Sequence, residues 1–126
     1  MVINLGDFSL TGRDRTKEFI KRLRGKNILV CGNHDKSPMW YIENGFNFAC
    51  HTFSLRYSNY NIVFSHMPLE LLGHHDLNIF GHKHSKGDEF GETHYRLSIE
   101  NENYSPILLD TILTRYSKYK KSIKKI

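Results

Sequence analysis

An α/β fold is predicted by three features of the sequence. Two short apolar runs near the N-terminus, "MVINL" and "NILV", each stop at a glycine turn, and a stretch with helical periodicity separates them. Further runs of strand character fill the middle of the chain, with turn signals between them. From Asp110 onward the apolar spacing is again helical. The order is strand, helix, strand, several strands, then helix. It describes one domain, 1–126, whose later part is more antiparallel.

Each element has its own signal. "MVINLGD" reads as a strand ending in a glycine turn. The spacing of Thr16, Phe19, Ile20 and Leu23 predicts a helix over Asp14 to Arg24, with Gly25 as the left-handed residue that ends it. "KNILVCGNHD" is a buried strand, since Ile28, Leu29 and Val30 run without polar interruption until Gly32. A short helix follows around Pro38 to Glu43. "FACHTFSLRYSNYNIVFSHMP" reads as a hairpin turning near "YSNYN", its second strand ending at His66. "LNIFGH" and "THYRLSIE" are further strands, and "NENYSP" is a turn. Ile112, Leu113, Tyr116, Tyr119, Ile123 and Ile126 mark the apolar stripe of a basic C-terminal helix over about 110–126.

The length of 126 residues suits a single domain with a modest core. Apolar content of 39% and charged content of 25% are those of a soluble globular protein. No apolar run has the length of a membrane span, and the N-terminus lacks the pattern of a signal peptide, so a cytoplasmic location is expected. Cys31 and Cys50 do not form a disulfide framework and are expected to be reduced.

Charge is segregated along the chain. Residues 1–109 hold 12 Lys/Arg and 12 Asp/Glu, whereas residues 110–126 hold 6 Lys/Arg and one Asp. The tail therefore carries the whole net charge of +5. A neutral body argues against a broad nucleic-acid-binding face and leaves nucleic acid as a substrate only. The tail is expected to pack its apolar stripe on the body and leave its lysines solvated, with an anionic membrane or a nucleic acid as the alternative contacts.

Chemistry-bearing residues gather where strands stop. The strand ends carry Gly6-Asp7, then Gly32-Asn33-His34-Asp35, then Ser65-His66, then Gly81-His82-Lys83-His84. In α/β sheets the crevice beyond the strand ends is where ligands bind. Aspartate, asparagine and histidine without thiolate suit borderline divalent ions such as Mn, Fe, Co, Ni or Zn.

In that order, "GD", "GNHD", "SH" and "GHKH" resemble the calcineurin-like metallophosphoesterases, in their small bacterial and phage form, over roughly residues 1–110. The resemblance implies a two-sheet αββα sandwich of metallophosphoesterase type and a metal-dependent phosphoesterase acting on phosphomonoesters or phosphodiesters. It implies two divalent metal ions, manganese first among the candidates. Asp7 would bridge them, Asn33, His66 and His82 would complete the second site, and His84 would belong to the first. His34 would be the general acid, and Asp35 would orient it. A metal-activated hydroxide would attack phosphorus, and a histidine near neutral pKa would protonate the leaving oxygen.

The family pattern begins with an earlier Asp-x-His that supplies the rest of the first metal site, and "MVINLG" contains neither residue. The expectation is an N-terminally truncated fold with one site fully supplied, and with either marginal stability or self-association that covers the exposed sheet edge. Three readings compete: a fragment, a mononuclear variant, and recruitment of substitute ligands from His74, His75 and Asp76, which read more simply as a solvated loop. The functional alternative is a non-catalytic or single-metal remnant that serves as a binding module.

Overall fold

The computed structural model describes residues 1–71, 73–81, 91–97, 102 and 105–124. Among them the fold is mixed α/β, with three helices and two sheets. The elements are β1 (Val2–Asn4), α1 (Arg13–Lys21), β2 (Asn27–Val30), α2 (Pro38–Glu43) and β3 (Phe48–Cys50), then β4 (Thr52–Tyr57), β5 (Tyr60–Ser65), β6 (Leu77–Phe80), β7 (His94–Arg96) and α3 (Leu109–Ile123). No helix among the described residues is long and apolar enough to cross a membrane.

The first sheet is parallel, in the order β1-β2-β3, with Ile3 opposite Ile28 and Leu29 opposite Ala49. The second has the order β4-β5-β6-β7. Its first pair is antiparallel, as a hairpin requires, but β5–β6 and β6–β7 are parallel. The later part is therefore mixed rather than largely antiparallel. Local sequence specifies only the tight hairpin; the direction of the other pairs is set by longer connections.

The hairpin turn falls on Ser58 and Asn59, both at positive φ (51° and 67°), between the paired Tyr57 and Tyr60. Two left-handed residues give the turn whose twist matches the flanking strands. The expected first arm, however, is two strands. It breaks at His51: β3 pairs in the first sheet and β4 in the second, so the chain changes sheets across one residue. The start of α2 is set by Ser37, whose side chain accepts the Trp40 N–H, and by Pro38 in the first turn. Helix α1 is shorter than its spacing predicts. Arg22 caps it, Gly25 turns at φ 73° to bring the chain into β2, and Leu23 is left 38% exposed on that turn.

Strand β2 is buried along its whole length, and its successive residues face opposite ways. Leu29 packs with Ile20 of α1, Tyr41 of α2, Phe46 and Ala49. Val30 packs with Ile62, Phe64, Leu77, Ile79 and Tyr95 of the second sheet and with Ile112, Leu113 and Tyr116 of α3. The two sheets thus share one core, and the first sheet has a second core on its other face. The N-terminal half of the α3 stripe, Ile112, Leu113 and Tyr116, is buried as its spacing predicts; Tyr119 and Ile123 are half-buried, and Ile126 lies outside the described residues.

Burial leaves a signature in titration. Desolvation pushes the hydroxyls of Tyr41 and Tyr116 up to about 12 from an ordinary 10.0. The unfolded chain releases these protons near pH 10, and the folded chain holds them to about pH 12. The unfolded state therefore binds fewer protons across that window, and stability, complete below pH 10, falls as pH rises through it. Urea midpoints measured from pH 8 upward should drop steeply above pH 10. Tyr116→Phe, which also loses the bond from the hydroxyl to the Glu92 carbonyl, should be weaker at every pH yet show a shallower alkaline fall. An unchanged slope would mean that Tyr116 does not titrate as a buried phenol.

Candidate metal centre

Three of the expected positions converge where β1, β2 and β5 end. The loop after β1 turns at Gly6 (φ 103°) and Asp7 (φ 51°). Aspartate is among the few residues that tolerate the left-handed region, and here its backbone is also held from outside. The Asp7 and Phe8 N–H groups donate to the two oxygens of Asp35, at 2.7 and 2.9 Å. The Gly32 N–H (2.7 Å) and the Tyr41 hydroxyl (3.0 Å) donate to the same carboxylate. Asp35 thereby ties the loop after β1 to the loop after β2.

This differs from the orienting role expected for Asp35. Both of its oxygens are engaged by four donors, and among the described residues none of these is the His34 ring. Asp35 positions Asp7 instead. His34 is exposed beside the site, and its backbone N–H donates to Asp7 Oδ1 at 3.0 Å.

Close packing of the two loops depends on glycine at two positions. A Cβ on Gly6 would lie 2.5 Å from His66 Nδ1 and 2.8 Å from Gly32 N. A Cβ on Gly32 would collide with the Asp7 carboxylate. The glycines therefore permit Asp7 and His66 to approach as they do.

His66, just past the end of β5, is 6% exposed. Its Nδ1 lies 2.8 Å from the Leu5 carbonyl, which can only accept, so Nδ1 carries the proton and donates. In the neutral ring Nε2 then presents its lone pair. The described groups facing Nε2 are Asn33 Oδ1 at 3.0 Å and Asp7 Oδ2 at 3.2 Å. An imidazole nitrogen, an amide oxygen and a carboxylate oxygen meet here, and a cation, or a proton on Nε2, balances that arrangement. The donor set fits a borderline divalent ion. Among the described residues no group of three or more His, Cys, Asp or Glu side chains that could hold a metal ion is gathered.

His82 and His84 lie outside the described residues. Gly81, which precedes them, donates to the His66 carbonyl at 3.1 Å. His74, His75 and Asp76 do not reach the site. Asp76 precedes β6 and pairs with the backbone of Asn61 near the start of β5, while His75 contacts Ser54. This is the opposite end of β5 from His66. His94 bonds the Leu69 carbonyl and Thr93, and His51 is exposed where the chain changes sheets. Cys31 is a buried packing residue whose thiol desolvation pushes up to about 12, so it is no nucleophile.

Sequence reasoning passed over Asn78. It is fully buried in β6, donates to the Val63 carbonyl and Ser65 Oγ, and accepts the Leu69 N–H at 2.8 Å. These bonds shape the segment that leaves His66. The signal was an amide inside the apolar run "LNIF", which burial obliges to find partners.

No family model matches the chain, and no curated protein matches it. Solved structures share its fold. A protein of unknown function from Aquifex aeolicus superposes with a TM-score of 0.65 at 23% identity, over 89% of this chain and 74% of that one. A protein described as a novel archaeal phosphodiesterase superposes with a TM-score of 0.53 at 18% identity, over 77% of this chain and 66% of that one. At these identities the likeness is one of fold.

Proposed function

We propose that this protein is a metal-dependent phosphoesterase with the two-sheet αββα sandwich of the calcineurin-like metallophosphoesterases. The observation that carries the reading is the convergence of Asp7 Oδ2, Asn33 Oδ1 and His66 Nε2 at three strand ends. The fold shared with an archaeal phosphodiesterase supports it. Asp7, Asn33 and His66 would hold a divalent cation, manganese first among the candidates, with His82 and His84 as further ligands.

A cation bound there supplies Lewis acidity toward a phosphoryl oxygen and toward an attacking water. The remaining work falls to the chain. The Leu5 carbonyl fixes the His66 tautomer and leaves the Nε2 lone pair facing Asp7 and Asn33. Asp35 holds Asp7 in its left-handed conformation. The exposed His34 imidazole gives its proton to the leaving alkoxide oxygen.

Calorimetric Mn²⁺ titration, combined with hydrolysis of chromogenic phosphate mono- and diesters, tests the reading. Asp7→Asn should lose both metal affinity and turnover. His34→Ala should keep the metal and lose on the order of 10²–10⁴ in kcat. Turnover that survives both substitutions would falsify the site. Metal binding without turnover in the unaltered protein would mark a binding module instead.

A further inference from the structure

The basic C-terminal helix has no part in the metal centre. Its buried stripe contains Ile112, Leu113 and Tyr116. Next to that stripe, Ser117, the adjacent Lys120 and Lys121, and Lys124 fall on successive helical turns and line a single surface groove together with Tyr60 at the start of β5. The Tyr60 and Ser117 hydroxyls lie 3.0 Å apart in that groove. Lys120 Nζ sits over the Tyr116 ring, 5.5 Å from its centroid, which holds one ammonium against the helix. The one acid on α3, Asp110, is in its first turn and accepts the Tyr57 hydroxyl. The cationic end of the helix thus has no acid of its own.

We propose that this groove binds the phosphodiester backbone of a nucleic acid. Three ammonium groups and the one O–H that the Tyr60–Ser117 pair leaves to donate match what phosphate oxygens require. Lys120 and Lys124 are about 6 Å apart along the helix axis, close to the rise of two nucleotides in one strand. A bilayer is the poorer occupant, because Ile112, Leu113 and Tyr116 are already in the core and Tyr119 and Ile123 are half-buried, which leaves α3 little apolar surface to insert. The groove meets the first residue of β5 and His66 follows the last, so they lie roughly 20 Å apart. A small phosphoester cannot touch both. The proposal therefore does not depend on the metal centre, and its readout is binding.

Fluorescence anisotropy of the full chain with a labelled single-stranded oligonucleotide tests it. Binding should weaken roughly 20-fold between about 50 and 200 mM salt, as three neutralised phosphates dictate. The combined Lys120→Glu, Lys121→Glu and Lys124→Glu variant should lose at least about tenfold in affinity while its thermal unfolding stays that of the unaltered protein. Arginine at the same three positions should retain affinity. Equal affinity of the glutamate variant overturns the proposal. So does an absence of binding at low salt, or capture by phosphatidylserine-rich vesicles without oligonucleotide binding.

Discussion

Asp35→Ala is expected to lower stability by about 3–5 kcal/mol and the thermal midpoint by about 10–20 °C, and to abolish metal binding with it. The carboxylate takes hydrogen bonds from Asp7 N, Phe8 N, Gly32 N and the Tyr41 hydroxyl. Bonds to a charged acceptor contribute about 1.5–3 kcal/mol each, and donors left without a partner add a desolvation cost. Water can reach some of the freed groups, which keeps the total below the sum of four. Against a typical stability of about 5–15 kcal/mol the loss is large. Asp35→Asn keeps one acceptor oxygen and should fall between the alanine variant and the parent. Calorimetric unfolding of the three proteins checks the order. An alanine variant that melts with the parent would show that the carboxylate does not fasten the loops together.

Gly6→Ala is expected to cost about 2–4 kcal/mol and to weaken Mn²⁺ affinity by more than tenfold. Two effects add. The residue sits at φ 103°, which L side chains rarely adopt, and its Cβ would press on His66 Nδ1 and on the Gly32 backbone. Two other glycines separate these effects. Gly73 has φ 87° with open space around it, so Gly73→Ala reports backbone strain alone. Gly12 has neither constraint, so Gly12→Ala should lack both penalties. Denaturant midpoints and Mn²⁺ titrations on the three variants should show affinity lost at Gly6 alone. A Gly6 variant that keeps parental affinity would mean that His66 can move aside without consequence.

The sequence was most legible where local rules suffice. Helix α2 starts at the expected proline, the hairpin turns at Ser58 and Asn59, and α3 buries the first half of the predicted stripe. The change of sheet at His51 was hidden because "FACHTFSLRY" carries no glycine or proline to mark it. Strand direction in the second sheet was hidden for a different reason: it follows from how long connections cross, which periodicity does not encode. At the site, glycines and strand ends pointed to Asp7, Asn33 and His66, and the structure brings these three together. The part played by Asp35 was not legible, since two of its donors, Asp7 and Phe8, lie 28 and 27 residues away.

Asp7 and Asn33 leave strands of the first sheet, and His66 leaves a strand of the second. The centre therefore lies on the seam between the sheets, and the thickness of the packing beneath it sets its span. Val30 on one side and Ile62 and Phe64 on the other act as the spacer. A methylene gained or lost in that layer would register at the surface as a change in the gap between Asp7 and His66. The core of this protein is in that sense the gauge to which its site is cut.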